Sequence, residues 1–346
     1  MTIAQPESTR RAERRRRITR RRRRAVATAA ATLSACAMLV AGAILTSGGD
    51  DTAGGDRAQA HAPLGSPAPL DPTAEAASDD DVRGIPLREE DLDDPTDADE
   101  TDGVDEADEF CTSEVTDAIA TGDPEAVVVA AGGGEAFRDG VVAGRASRCI
   151  ALNHPAWDWV VVNKQRPVEP IDYAPDVIAP ATYSPIGAHL DPAAAAALDA
   201  MVDAARDAGA GDIGLESGYR SYDTQTDSYN AQVGLRGSIA EADLTSARPG
   251  YSEHQLGLAA DLVACDGASC GTMYEFGASP QGAWVADNAW RYGWIVRYEA
   301  HTTGTTGYEA EPWHLRYVGV ELATAYAEGG YDTYEEFWEL PAAPEY

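Results

Sequence analysis

The sequence predicts an α+β fold for residues 150–346, an antiparallel sheet with helices packed on it, and three observations carry that prediction. Strong helix formers come early, in Ala193–Ala208 and Tyr222–Leu235. The β-branched and aromatic runs come later and close together, at Leu258–Val263, Trp294–Tyr298 and Trp313–Val318. The elements do not alternate as βαβ units would, and segregated helices and strands favour an antiparallel sheet.

Each element has a local cause. Trp157–Asn163 reads as a strand from its β-branched run, and the prolines from Pro167 to Pro180 mark an extended, irregular passage. Asp191-Pro192 supplies an N-cap and a proline at the first helical position, and Leu198, Met201, Ala204 and Ala205 then give the helix an apolar face. Ile213–Ser217 is a short strand running into Gly218-Tyr219-Arg220, and Gly282–Tyr292, with Trp284, Val285 and Trp290, is a third helix. Residues 110–149 form a small helical preface that packs on the domain: Ser113 or Thr116 opens one helix, and Pro124 opens another that ends at Gly132-Gly133-Gly134.

The charge is unevenly spread. The chain carries a formal net charge of -32, yet 11 of its 26 basic residues fall in residues 1–24, beside only Glu7 and Glu13. The remainder holds 56 acids against 15 bases, about -41. A surface that acidic repels nucleic acid, so the basic head reads as a cytoplasmic topology signal. Residues 25–46 follow with an apolar run, Ala25 to Leu45, interrupted only by Thr28, Thr32, Ser34 and Gly42. At 1.5 Å per residue such a helix crosses a ~30 Å hydrocarbon core. The expectation is a single-pass membrane anchor with the rest of the chain extracytoplasmic. A cleaved secretory signal, with Ala58-Gln59-Ala60 resembling a cleavage site, and lipid attachment at Cys36 in Leu33-Ser34-Ala35-Cys36 are the alternatives. Residues 47–109 read as a disordered acidic linker, with 18 acids between Asp71 and Glu109 against Arg83 and Arg88. The glycine-centred calcium-loop pattern is missing from it.

The residues that carry chemistry lie in two stretches, Ser252-Glu253-His254-Gln255-Leu256-Gly257-Leu258-Ala259-Ala260-Asp261 and Glu311-Pro312-Trp313-His314. His254, Asp261 and His314 are ligands of the kind zinc takes, and three protein ligands with an open fourth position make a catalytic zinc site. Glu311, three residues before His314, is placed to act as general base. The small Gly257 and Ala259 suit a backbone passing close to the metal or a substrate. The other histidines, His61, His154, His189 and His301, have no comparable setting.

Ser252-x-His254-x-x-Gly257-x-Ala259-x-Asp261 with Glu311-x-x-His314 resembles the zinc signature of the VanY-type D-alanyl-D-alanine carboxypeptidases, within the LAS peptidases. The flanks match too: Ser217-Gly218-Tyr219-Arg220-Ser221, Ala247-Arg248-Pro249-Gly250-Tyr251 and Trp313-His314-Leu315-Arg316-Tyr317-Val318-Gly319. The resemblance covers roughly residues 150 to 342. It implies the same α+β, D,D-peptidase-like fold, with zinc in a central cleft.

It also implies roles. Arg220 matches an arginine taken to stabilise the transition state in related enzymes; an ordinary salt bridge is the alternative. Ser252 falls on the same face as His254 if that stretch is extended, so its hydroxyl would reach the substrate terminus unless it only forms a turn. Gln225, one helical turn beyond Arg220, would line the pocket or lie on the surface. Trp313 reads as packing between base and ligand.

The function implied is a zinc-dependent D,D-carboxypeptidase that removes the terminal D-alanine from peptidoglycan stem peptides ending in D-Ala-D-Ala, acting as a monomer outside the membrane. An endopeptidase or D,D-dipeptidase on the same zinc site remains open. So does a non-catalytic wall-binding module, although neither Glu311 nor any ligand is lost. Cys111 with Cys149 and Cys265 with Cys270 read as disulfides suited to an oxidising compartment, while four cysteines allow three connectivities. A second zinc site is the competing reading, without a Cys-x2-Cys unit to support it.

Overall fold

The computed structural model describes residues 110–346, so the basic head, the apolar run and the acidic linker lie outside the described residues. Among the described residues no helix is long and apolar enough to cross a membrane. The expected anchor falls on the apolar run, outside the described residues.

The chain opens with three short helices, α1 (Ser113–Thr121), α2 (Pro124–Ala130) and α3 (Gly134–Val142), followed by an irregular passage to α4 (Pro192–Asp207). Strand β1 (Asp212–Ser217) leads through Arg220 into α5 (Tyr222–Arg236) and α6 (Ile239–Asp243). After a 3-10 turn at Glu253–Leu256 come β2 (Ala259–Asp266), the short β3 (Ser269–Cys270), α7 (Met273–Phe276) and α8 (Pro280–Asn288). Strand β4 (Trp294–Tyr298), α9 (Thr303–Thr306), β5 (Glu311–Tyr317), α10 (Val320–Gly329) and α11 (Tyr334–Phe337) complete it. The sheet order is β1-β2-β5-β4, with β3 pairing the end of β2, and every pairing is antiparallel.

The expected α+β architecture is therefore present, and its causes are local. Asp191 caps α4 by accepting hydrogen bonds from the Ala193 and Ala194 amides, and Pro192 occupies the first turn. Ala194, Leu198, Met201, Val202 and Ala205 form the buried face of that helix. They pack with Ile213, Leu215, Ala260, Leu262 and Leu315 of the sheet into one core. A second core joins the α1–α3 preface (Val115, Val127, Val128, Phe137) to Ile295, Val318, Leu322, Tyr334 and Phe337. The preface is thus tied into the domain by shared packing, and by the Cys111–Cys149 disulfide within it. The second disulfide, Cys265–Cys270, joins residues that face each other across β2 and β3.

Two expectations are corrected. The preface holds a third helix, α3, because Gly132 and Gly133 turn the chain with positive φ and helix resumes at Gly134. Trp157–Asn163 is not a strand of the sheet. Its side chains alternate between the two cores, Val160 and Val162 into the first and Trp159 and Val161 into the second. Its carbonyls at Asp158 and Val160 accept hydrogen bonds from Arg316 Nη2, at 3.0 and 2.8 Å, instead of from a neighbouring strand. A β-branched run fits such a slot between cores as well as it fits a ladder.

Candidate active site

Asp261 on β2 and His314 on β5 sit directly opposite each other in the antiparallel ladder, so both face the same side of the sheet. Asp261 Oδ1 is 3.0 Å from His314 Nδ1, and its Oδ2 is 3.2 Å from His254 Nε2. His254 arrives on the 3-10 turn, which ends at Gly257 with φ +72°. A side chain there would be strained, and its Cβ would lie 3.1 Å from the Asp191 amide nitrogen. That glycine serves the turn and a close backbone approach to Asp191.

Each histidine has its second nitrogen occupied. His254 Nδ1 lies 2.6 Å from the Gly218 carbonyl and His314 Nε2 3.3 Å from Glu253 Oε2. His254 Nε2 is buried with only the Asp261 carboxylate near it, at 3.2 Å and without hydrogen-bond geometry. The donor atoms of His254, Asp261 and His314 all lie within 4.8 Å of one another, and all three residues are buried. Two imidazoles and a carboxylate, with the histidines oriented through their far nitrogens, fit a zinc ion. Gly218 is needed for this arrangement, since a Cβ there would sit 2.2 Å from the His189 carbonyl oxygen.

Glu311 stands at the start of β5, with Oε2 3.8 Å from His314 Nδ1. Strict strand alternation would send residues three apart to opposite faces. The β4–β5 register shifts between Val296 and Tyr298, over the part of β5 that contains Pro312, and this turns Glu311 back toward the site. Burial raises the Glu311 carboxyl to about 7, the neighbouring Asp261 adds to the rise, and His314 opposes it. A carboxyl poised there can hold or release a proton near neutral pH.

These groups open onto a cavity of about 510 Å³. Arg220 lines it and makes no ion pair among the described residues; its Nε is buried without a partner. Burial draws the guanidinium below its ordinary range, against the pull of Asp261 and Glu311. The structure therefore gives no support to the salt-bridge alternative for Arg220. Ser252 also lines the cavity; its own backbone is extended, but Glu253 and His254 turn into the 3-10 helix, so strand alternation does not carry through to His254, and the Ser252 hydroxyl makes no capping bond. Trp313 forms part of the cavity wall and meets Tyr274 edge-on at 5.2 Å.

Gln225 is neither in the cavity wall nor on the surface. It is 1 % exposed and donates from Nε2 to the Ala247 carbonyl, which supports a wall residue from behind. His154, His189 and His301 are exposed and take no part, and His61 lies outside the described residues.

Sequence reasoning missed Glu253. It is buried and bonded at Oε1 by Arg297 Nε (2.9 Å) and Arg316 Nη1 (3.0 Å). Burial works against its ionisation, but the two guanidinium groups prevail and hold its carboxyl far below the usual range. The available signal was an arginine in the middle of each apolar strand pattern, at Arg297 and Arg316. A buried strand tolerates such a charge only with a buried partner.

Residues 187–320 match a family model described as VanY, D-alanyl-D-alanine carboxypeptidase. The putative carboxypeptidase YodJ of Bacillus subtilis (strain 168) is 43% identical over 150 residues, 42% of this chain and 52% of that protein. The bifunctional D-Ala-D-Ala dipeptidase and D-Ala-D-Ala carboxypeptidase VanXYC of Enterococcus gallinarum is 30% identical over 164 residues, 46% of this chain and 83% of that protein. A solved zinc(II) complex of a variant of the vancomycin-resistance D,D-pentapeptidase VanY is 33% identical, with a TM-score of 0.44 over 51% of this chain and 96% of that one. The chain spans about half the length of YodJ. With the match extending over most of VanXYC, the chain belongs to the VanY family.

Proposed function

We propose that this chain is a zinc-dependent D,D-carboxypeptidase that removes the terminal D-alanine from peptidoglycan stem peptides. The observation that carries this reading is the unpaired Arg220 in the same cavity as Glu311 and the three candidate ligands. A guanidinium held without a carboxylate partner suits a substrate carboxylate or a developing oxyanion. His254 Nε2, an oxygen of Asp261 and His314 Nδ1 would hold the zinc. When bound, zinc supplies Lewis-acid polarisation of a carbonyl and lowers the pKa of water from 15.7 to about 7.

The residues themselves do the rest. Glu311 accepts the proton of the attacking water and returns it to the departing amine nitrogen, work that suits its raised pKa. Arg220 holds the negative charge that develops on the carbonyl oxygen or stands on the substrate terminus. Ser252 offers a hydroxyl to the same substrate end. Trp313 and Tyr274 shape the wall of the cavity.

Mass spectrometry of a purified stem pentapeptide before and after incubation tests the reading. Loss of one D-alanine supports it, and an unchanged peptide overturns it. The VanXYC name joins dipeptidase to carboxypeptidase, so a dipeptidase is the second reading. It predicts faster cleavage of free D-Ala-D-Ala than of the pentapeptide.

The site works outside the cytoplasmic membrane, on a monomer tethered by the apolar run of residues 25–46. The basic head, the acidic linker and the two disulfides support this placement. Protease added to intact cells should release an active domain by cutting the linker. A domain protected until lysis would overturn the topology, and a dimer in sedimentation would overturn the monomer.

A further inference from the structure

We infer that Glu335, on α11 at the far side of the second core, is a positioning residue for the zinc ligand His314, acting through Arg297 and Glu253. The inference rests on the zinc reading of the site.

The four charged side chains Glu335, Arg297, Glu253 and Arg316 form one buried, charge-balanced set, none more than 2 % exposed. The two nitrogens at the fork of Arg297 are both spent on Glu335, Nη1 at 3.0 Å from Oε2 and Nη2 at 2.7 Å from Oε1. Glu335 Oε1 also accepts Asn163 Nδ2 at 3.0 Å, which fixes the carboxylate from a third direction. Held in this way, Arg297 has only Nε left for Glu253, and it takes Oε1. Arg316 Nη1 takes the same oxygen. Its Nε and Nη2 are committed to the carbonyls of Tyr317, Asp158 and Val160. Both arginines are thus confined to Oε1, and Oε2 remains for His314 Nε2 at 3.3 Å.

That division of oxygens is what Glu335 enforces. A guanidinium binds a carboxylate best as a two-pronged fork. Without the Glu335 charge, the carboxylate left to Arg297 among the described residues is Glu253, and a fork closing on Glu253 would occupy Oε2 as well as Oε1. His314 would then lose the acceptor that orients its ring and makes its other nitrogen a better donor. Outer partners of this kind are worth about 10- to 100-fold in metal affinity. The aromatic neighbours favour the present arrangement, with the Tyr334 ring centroid 5.8 Å from the Arg297 guanidinium carbon and 5.7 Å from that of Arg316.

The test is zinc affinity of the full-length chain, measured by competition with a chromogenic chelator, together with the visible spectrum of the cobalt-substituted protein. Neither readout needs a substrate, so a failure to cleave stem peptides would overturn the proposed function and leave this inference standing. E335Q should weaken zinc about tenfold and change the cobalt spectrum, with KM near wild type and kcat reduced. The double variant R297Q/E335Q removes the competing fork with its partner and should recover affinity to within about threefold of wild type by the same reasoning. A purely structural role would lower the melting temperature of E335Q and leave zinc affinity and spectrum unchanged, which overturns the inference. A double variant as weak as E335Q overturns it as well. Should E335Q not fold, E335D carries the test, because it keeps the charge but withdraws the carboxylate by one methylene. Weakened zinc binding supports the inference and wild-type affinity overturns it. A wild-type chain that binds no metal overturns both this inference and the zinc reading.

Discussion

Glu253 and His254 are adjacent in sequence yet approach the site from opposite sides: His254 Nε2 points toward Asp261, while Glu253 Oε2 lies behind the far nitrogen of His314. One 3-10 turn thereby supplies a candidate ligand and the support of another.

Metal content separates ligands from base. About one zinc per chain is expected in the wild type, with loss of most of it in His254→Ala. Glu311→Gln should keep the metal and lower kcat by about 10²- to 10⁴-fold, since it deletes only the proton acceptor. Elemental analysis beside peptide turnover checks both; a Glu311→Gln variant near full activity would remove Glu311 from its role.

Arg220 should read the charge of the substrate terminus. Hydrogen bonds to a charged group are worth about 1.5–3 kcal/mol, or roughly 10- to 150-fold in rate when made in the transition state. Amidating the terminal D-alanine should slow the wild type by at least about tenfold, and Arg220→Met should abolish the difference between free and amidated peptides. Equal rates on both peptides in the wild type would point to an endopeptidase.

Asp158 gives folding a pH dependence. Burial raises its carboxyl to about 7, and the charge of Asp191 adds to the rise while Arg316 opposes it. The folded state therefore holds this proton more tightly than the unfolded chain does. The resulting stability is fully present below the unfolded pKa of about 3.9 and is lost as pH climbs toward 7. Asp158→Asn should be more stable than wild type at pH 8, by on the order of a few kcal/mol, and the gap should close toward pH 4. Parallel denaturation curves at the two pH values measure it, and an equal gap at both would refute the assignment.

The two disulfides should contribute unequally. Cys111–Cys149 spans 38 residues and Cys265–Cys270 spans 5. Loop-closure entropy then gives about 4 kcal/mol for the first and about 2 for the second. Paired serine variants followed by chemical denaturation test the order, and thiol labelling before and after reduction tests whether the bonds form.

The sheet and α4 were legible because their signals are local: a cap, a proline, an alternation of apolar residues. The two histidines, Asp261 and Glu311 were legible because their chemistry is unusual and their spacing fixed. Trp157–Asn163 misled because period-2 burial between two cores looks the same as period-2 burial in a sheet. Gln225 misled because a helix position says nothing about which neighbour the amide will find. Glu253 and Glu335 stayed hidden because their partners are 44 and 38 residues from them along the chain, at Arg297.

The segment threaded between the two cores also decides where this protein can be trimmed. An expression fragment bounded by the family match at 187–320 would lack Trp159 and its flanking valines, leaving an empty slot in each core. It would also strand Arg316 without two of its acceptors and Arg297 without Glu335. Buried guanidinium groups left in that state cost several kcal/mol each. The smallest autonomous unit therefore starts upstream of Trp157 and runs through α11, and the stretch most recognisable in sequence is shorter than the stretch that folds.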